Sequence, residues 1–416
     1  MEYYTKPMKP LRRSFFVVII LLAMGVQGCG MPKTPIPSSS ETTPTASPAS
    51  FPFEENLSCW PIASLESSND IKGSILFENM SRDGKLFAWD VSSFHTHKLD
   101  YSSLAYTVSS DGSLVAFLLF NQNKLILISS TQTKEFTLPE GNDYVDVQFA
   151  SNGLIYIGGT RDEFSSNYTD TGFFDKYYLL DTGTGNLTDK TVFLPNFTLG
   201  PRVYRFPIEY SPDLQYIVYK TTPSDDGNYK FALMNVKTGE IIWTGYSMPH
   251  WKPDGKVLTY FSRNLFSLSK DGTSSQMTHF EQKILAGLGT LGEDMPWSSD
   301  GRYLAFHETQ TALSLFYIWD NQEKVAFRPC LPDELRAYSN YHAYWSPDSK
   351  FLLLRLVYPD TRYSGEMPTP THFLDLILDM RNQTIYTLPS DDNRGQFLSQ
   401  APDGAIIEGW VNWELQ

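Results

Sequence analysis

From about residue 70 onward, apolar positions fall in short consecutive runs separated by clusters of Ser, Pro, Asp and Gly, and no amphipathic helix of convincing length interrupts them. Leu114–Leu119 and Phe351–Leu354 are apolar at every position, the pattern of strands buried on both faces rather than on one. The punctuation between runs is itself a phrase. Trp345-Ser346-Pro347-Asp348-Ser349-Lys350 leads into Phe351-Leu352-Leu353-Leu354, and the phrase recurs at Trp297-Ser298-Ser299-Asp300-Gly301-Arg302 and Trp251-Lys252-Pro253-Asp254-Gly255-Lys256. In Ser-Pro-Asp-Gly order, proline presets φ at the second turn position, aspartate suits the third and glycine the fourth, so each copy is a type I turn joining two antiparallel strands.

The turn's Asp or Asn falls at Asp111, Asn152, Asp213, Asp254, Asp300, Asp348 and Asp403, in steps of 41, 61, 41, 46, 48 and 55 residues. Four short strands with their turns need roughly forty residues, the spacing of propeller blades. With the strand before the turn called a and the one after it b, each unit continues into strands c and d. The c strands include Tyr177–Asp181, Ala232–Val236, Ser314–Asp320 and Phe373–Asp379. The expected fold is all-β, a single seven-bladed propeller of four-stranded antiparallel sheets, closed by strands from the N- and C-termini. Ser81-Arg82-Asp83-Gly84 is out of phase and reads as a b-to-c hairpin of a first blade that lacks strand a. Phe397–Ser399, before Pro402-Asp403-Gly404, is expected to supply it. Ala405–Val411 then has no assigned place: it displaces Ser74–Glu78, adds an outer edge, or raises the count to eight blades.

The repeated aromatic-Ser-Pro-Asp-Gly phrase with its apolar strand resembles the repeat of the TolB-type, WD-like β-propellers of bacterial envelopes, over roughly residues 70 to 411. The resemblance implies the propeller and an envelope setting. It implies no one activity, because that family spans scaffolds, binding modules and a few enzymes.

The first sixty residues alter the picture of where the chain resides. Lys6, Lys9, Arg12 and Arg13 precede an apolar run from Phe15 to Val26, short for a membrane span and right for the core of an export signal. Val26-Gln27-Gly28-Cys29 resembles the lipobox of bacterial lipoproteins, which implies lipidation of Cys29. The expected organisation is a signal peptide at residues 1–28, a Pro/Ser/Thr-rich disordered tether at 29–56 and the propeller at 57–416. Removing residues 1–28 takes away four basic groups and Glu2, moving the net charge from −14 to −17. Such a balance disfavours nucleic acid and anionic membrane surfaces as partners. Membrane contact is therefore expected only through the lipid, on the extracytoplasmic side. Cys59 and Cys330 remain as a candidate disulfide in an oxidising compartment.

Chemistry is sparse. In a meandering blade the b-to-c and d-to-a connections leave from one end, and the long ones (160–174, 221–229 and 359–370; 188–205, 281–292 and 332–341) are all of these two kinds. They bring Tyr168, Phe173, Phe174, Asp225, Tyr229, Asp294, Tyr341, His342 and Tyr363 to that end or beside it as candidate ligand-binding residues. Aromatic rings beside carboxylates suit a glycan, a peptide or a cationic group. His342-Ala343-Tyr344-Trp345-Ser346-Pro347-Asp348 resembles a repeat of the oligogalacturonate lyases, which implies a metal held by several histidines, but only His342 matches. His95 and His97 give two ligands at most, so neither a metal nor a cofactor is expected. Gly287-Leu288-Gly289-Thr290-Leu291-Gly292 matches the dinucleotide fingerprint in letters, yet Pro296-Trp297 follow where that motif requires a helix. A non-catalytic binding module for protein, peptide or glycan, monomeric, is the expectation; a lyase-like enzyme and a structural envelope scaffold are the rivals.

Overall fold

The computed structural model describes residues 53–55, 60–65, 71–79, 85–119, 122–140, 142–150, 153–161, 176–190, 208–221, 230–262, 264–279, 296–308, 315–329, 339–359, 370–387 and 406–413. All belong to one compact unit, Ala49–Gln416, and among them there is no helix.

In chain order, β1 (Phe53–Glu55) and β2 (Ile62–Ser64) precede the blades. Blade 1 takes β3 (Ser74–Asn79), β4 (Lys85–Asp90) and the first part of β5 (Thr96–Val108). Blade 2 takes the rest of β5 with β6 (Leu114–Leu119), β7 (Lys124–Ser129) and β8 (Thr133–Thr137). Blade 3 is β9 (Asn142–Phe149), β10 (Leu154–Arg161), β11 (Lys176–Asp181) and β12 (Leu187–Asp189). Blade 4 is β13 (Ile208–Tyr210), β14 (Tyr216–Lys220), β15 (Phe231–Asn235) and β16 (Ile241–Gly245). Blade 5 is β17 (His250–Trp251), β18 (Val257–Ser262), β19 (Asn264–Ser269) and β20 (Ser274–Gln276). Blade 6 has β21 (Tyr303–Glu308), β22 (Leu315–Asp320) and β23 (Val325–Arg328), with its innermost strand reduced to a bridge between Trp297 and Leu304. Blade 7 is β24 (Ser339–Trp345), β25 (Phe351–Pro359), β26 (Pro370–Asp379) and β27 (Thr384–Thr387), and β28 (Ile406–Val411) ends the described chain. The result is a seven-bladed propeller.

Closure differs from expectation in one respect. The strand that completes blade 1 is Ile406–Val411, which pairs antiparallel with β3 (Ile406 with Glu78, Val411 with Ser74). It takes the innermost place because Trp410 and Val411 are buried there, and the Trp410 indole N–H donates to the Lys72 carbonyl at 3.1 Å. Phe397–Ser399 lies outside the described residues. The supposed eighth strand is thus the missing first one, and the ring closes on three N-terminal strands and one C-terminal strand, which removes two open edges. One long strand joins the first two blades: β5 serves blade 1 through Ser102 and blade 2 from Ser103.

The consecutive apolar runs are explained by burial on both blade faces. Leu352, Leu354, Leu376 and Leu378 of blade 7 pack with Tyr303, Ala305, Phe316 and Ile318 of blade 6. Phe351, Leu353 and Ile377, on the opposite face, pack with Ile75, Phe77 and Trp89 of blade 1. The aromatic that opens each phrase crosses to the preceding blade. Trp345 donates its indole N–H to the Pro296 carbonyl and Trp297 donates to Thr259 Oγ1, both at 2.9 Å.

An N-terminal strap adds something the sequence pattern did not suggest. β1 pairs in parallel with β23 on the outer edge of blade 6, and β2 pairs in parallel with β27 on the outer edge of blade 7. Between them Trp60 is buried in the core shared by blades 6 and 7, while Leu65 and Ile71 enter the core between blades 7 and 1.

Candidate functional site

The two ends of the ring are chemically unlike. At the end bearing the a-to-b turns, Ser109, Ser211, Ser298 and Ser346 each donate Oγ–H to the aspartate two residues on (Asp111, Asp213, Asp300 and Asp348), at 2.6–2.7 Å. Each Oγ also accepts the backbone N–H five residues on, at 2.8–2.9 Å. The aspartate accepts a further backbone N–H beyond the turn, as from Ser113, Gln215, Arg302 and Lys350. Burial raises the affinity of Asp111, Asp213 and Asp348 for a proton, but these bonds, with Lys270 and Lys350 beside Asp213 and Asp348, outweigh it and hold all three below the ordinary carboxylate value.

The c-to-d turns at the same end repeat the logic. Asp90, Asp181, Asn235, Asp320 and Asp379 each accept the N–H groups of the residues two and three further on. Neighbouring turns are stitched together: Ser299 Oγ–H donates to the Pro347 carbonyl at 2.6 Å, and the Asp300 N–H donates to Ser349 Oγ at 3.1 Å. Blade 1 has no a-to-b turn, and Asn412 stands in for it, donating its N–H to the Gly112 carbonyl and its amide to the Asp111 carbonyl. Gly112 has φ +66°, and a Cβ there would come within 2.2 Å of Pro347, so the turns of blades 2 and 7 meet over this gap only because glycine is present. Among the described residues, the repeated turn serines and aspartates of this end are committed to the fold.

The long connections lie between strands whose ends all open at the opposite end: β10 to β11, β14 to β15, β25 to β26, β12 to β13, β20 to Trp297 and β23 to β24. Of the candidate ligand-binding residues, Tyr168, Phe173, Phe174, Asp225, Tyr229, Asp294 and Tyr363 lie outside the described residues. Tyr341 and His342 fall within β24. There the register shifts between Asn340 and His342, so Tyr341 is the extra residue of a bulge, and His342 pairs with Arg355. A bulge at a strand's end re-aims the chain, a device common beside binding sites. Among the described residues no group of three or more His, Cys, Asp or Glu is placed to hold a metal ion.

Two polar pairs inside the ring escaped the sequence reading. Arg355 and Asp375 sit opposite each other on β25 and β26 at 1% and 3% side-chain exposure, with Nε to Oδ1 at 2.8 Å and Nη2 to Oδ2 at 2.9 Å. The signal was present, since each interrupts an apolar run (Leu354-Arg355-Leu356, Leu374-Asp375-Leu376), but only the register makes them partners. On the innermost strands, Glu209 Oε2 lies 3.0 Å from His250 Nδ1, and Glu209 Oε1 accepts the Trp251 N–H at 2.9 Å, tying blade 4 to blade 5. The Arg355–Asp375 fork is buried, and its two parallel charge-assisted bonds fix the two side chains against each other.

No protein-family model and no curated protein matches the sequence. Solved structures do. TolB from Acinetobacter baumannii is similar at 12% identity over 80% of this chain and 81% of its own, with a TM-score of 0.37. Porphyromonas gingivalis dipeptidyl peptidase 4 is similar at 13% identity over 78% of this chain and 52% of its own, with a TM-score of 0.44. An oligogalacturonate lyase in complex with manganese is similar at 13% identity over 76% of this chain and 84% of its own, with a TM-score of 0.43. At these values the likenesses carry no argument about activity, and the propeller rests on its own strand register.

Proposed function

We propose that this chain is an exported binding module, lipidated at Cys29, whose propeller captures a protein, peptide or glycan through the end that bears the long connections. The observation that carries the reading is the contrast between the ends. One binds the repeated serines and aspartates of its described turns to each other, as in the Ser346–Asp348 pair at 2.7 Å, while the long connections, with their aromatic and acidic residues, leave from the other. Tyr168, Phe173, Phe174, Asp225, Tyr229, Asp294, Tyr341, His342 and Tyr363 are the proposed contact residues, and residues 30–52 hold the ring away from the bilayer.

Crosslinking and capture from intact cells tests it. Replacing residues 160–174 and 359–370 with short Gly/Ser links should abolish recovery of the partner while the ring stays folded; unchanged recovery would transfer the role to the blade sides or the short-turn end. Metabolic labelling with a tritiated fatty acid should mark the wild type and not Cys29→Ser. Metal analysis of the purified protein separates this reading from a lyase-like enzyme.

A further inference from the structure

The innermost strand of a blade pairs on one edge with the next strand of its sheet and runs along the axis of the ring. On β24, β5 and β9 that pairing slips once, at the same place. His342, Ala105 and Asp146 pair with Arg355, Leu118 and Gly158, while Asn340, Ser103 and Tyr144 pair with Leu356, Leu119 and Gly159. Tyr341, Leu104 and Val145 are left over as the extra residues of three bulges. Along the chain they stand seven residues before Asp348, Asp111 and Asn152, the acid or amide of each turn. β28 slips as well, leaving Glu408 unpaired between Ile407 and Gly409.

These strands belong to four consecutive blades, 7, 1, 2 and 3. Cα atoms of β24 and β28, of β28 and β5, and of β5 and β9 come within 8 Å of one another, so the bulged strands follow each other around the axis without a gap. Blade 5 lacks the feature, because its equivalent residue, Ser247, lies outside β17. The equivalents in blades 4 and 6, Phe206 and Glu293, lie outside the described residues. Each inner strand runs from a long connection to a short turn, which sets the bulges on the long-connection side of the repeated phrase. A bulge takes a residue out of the ladder and bends the strand, at a loss of regular pairing that four neighbouring blades all accept.

We propose that Tyr341, Glu408, Leu104 and Val145 form one arc-shaped subsite at the long-connection mouth of the ring, which takes a polypeptide segment of aliphatic and basic residues. The inference rests on the reading that recognition belongs to this end, and it narrows the occupant. Leucine and valine offer nothing to the hydroxyls of a sugar, which lose their water on binding, but they favour aliphatic side chains. Tyrosine suits an apolar chain or a cation. Glu408 brings a negative charge, and neither β24, β28, β9 nor Ser103–Val108 contains a lysine or arginine to neutralise it. A basic residue on the partner fits that balance.

The test uses the full chain with three probes: a fluorescein-labelled hexapeptide Leu-Lys-Val-Lys-Leu-Lys, its counterpart Leu-Glu-Val-Glu-Leu-Glu, and chitohexaose. At about 0.15 M salt the lysine peptide should bind saturably below about 1 mM and the other two should not. Amide exchange of the wild type should slow at residues 102–105, 142–146, 339–342 and 406–408. Glu408→Lys should weaken binding about fivefold and Leu104→Asp about tenfold, with thermal melts confirming the fold. No saturable binding of the lysine peptide, binding of chitohexaose in its place, or protection confined to the short turns would each overturn the proposal. Protection of residues 160–174 and 359–370 without the bulges would overturn it too, while leaving recognition at this end in place. Failure of that broader reading shows separately, as partner recovery from cells that survives replacement of those two connections.

Discussion

Arg355 and Asp375 face each other across two adjacent strands of blade 7 in a two-bonded fork, on the blade face that also carries Phe351, Leu353 and Ile377 against blade 1. A buried pair of this kind is hard to break and easy to replace, because removing one partner strands the other charge away from water. Asp375→Ala should cost about 3–5 kcal/mol in urea unfolding, whereas Arg355→Met combined with Asp375→Leu should lie within about 1 kcal/mol of wild type or above it. A double replacement as damaging as the single one would show that the pair holds a geometry that apolar packing cannot.

Backbone handedness gives a contrasting pair. Gln383 (φ 50°) and Ser349 (φ 61°) both occupy the left-handed region in turns where sister blades place glycine. Gln383 is exposed, so Gln383→Gly should stabilise by about 0.5–1 kcal/mol. Ser349 Oγ accepts the Asp300 N–H and bonds Ser299, so Ser349→Gly should lose stability despite the same conformational relief. Thermal melts of the two variants should move in opposite directions.

The turn aspartates set an acid limit. Asp111, Asp213 and Asp348 bind protons less readily folded than their ordinary value of 3.8, so as pH falls the unfolded chain takes up protons first. Their contribution is complete above about pH 5 and is lost as pH falls through 4 toward the folded values. Denaturant midpoints measured from pH 7 to pH 3 should fall over that interval, and Asp348→Asn should flatten the fall.

The strap should behave as part of the ring. Trp60 is 3% exposed between blades 6 and 7, so Trp60→Ala should cost about 3–5 kcal/mol. Cys59 and Cys330 lie four and two residues beyond the paired Glu55 and Arg328, and we propose that they form a disulfide. Peptide mapping under non-reducing conditions should recover the two cysteines in one crosslinked fragment; free thiols at both would refute the pairing.

These relationships show what was legible in the chain. The Ser-Pro-Asp-Gly phrase marked the blades because one serine hydroxyl and one carboxylate close each corner by short-range bonds, and short-range chemistry is readable. Closure was misplaced because Ile406–Val411 follows a turn phrase like every b strand, and only pairing with Ser74–Asn79, more than three hundred residues away, makes it an inner one. The strap was invisible for a related reason: three-residue strands have no period, and Ile62–Ser64 is a strand only because Thr384–Thr387 lies beside it. Of the candidate ligand-binding residues, Tyr341 and His342 have a described place, at the bulge in β24.

The central functional claim is that recognition belongs to the end bearing the long connections. A photo-crosslinking amino acid placed at Tyr168 or Tyr363, and separately at Asp254 or Lys256 in a short turn, should test it in intact cells. The account predicts a discrete crosslinked product from Tyr168 or Tyr363 and none from Asp254 or Lys256. Product from the short turns, with none from the long connections, would contradict it.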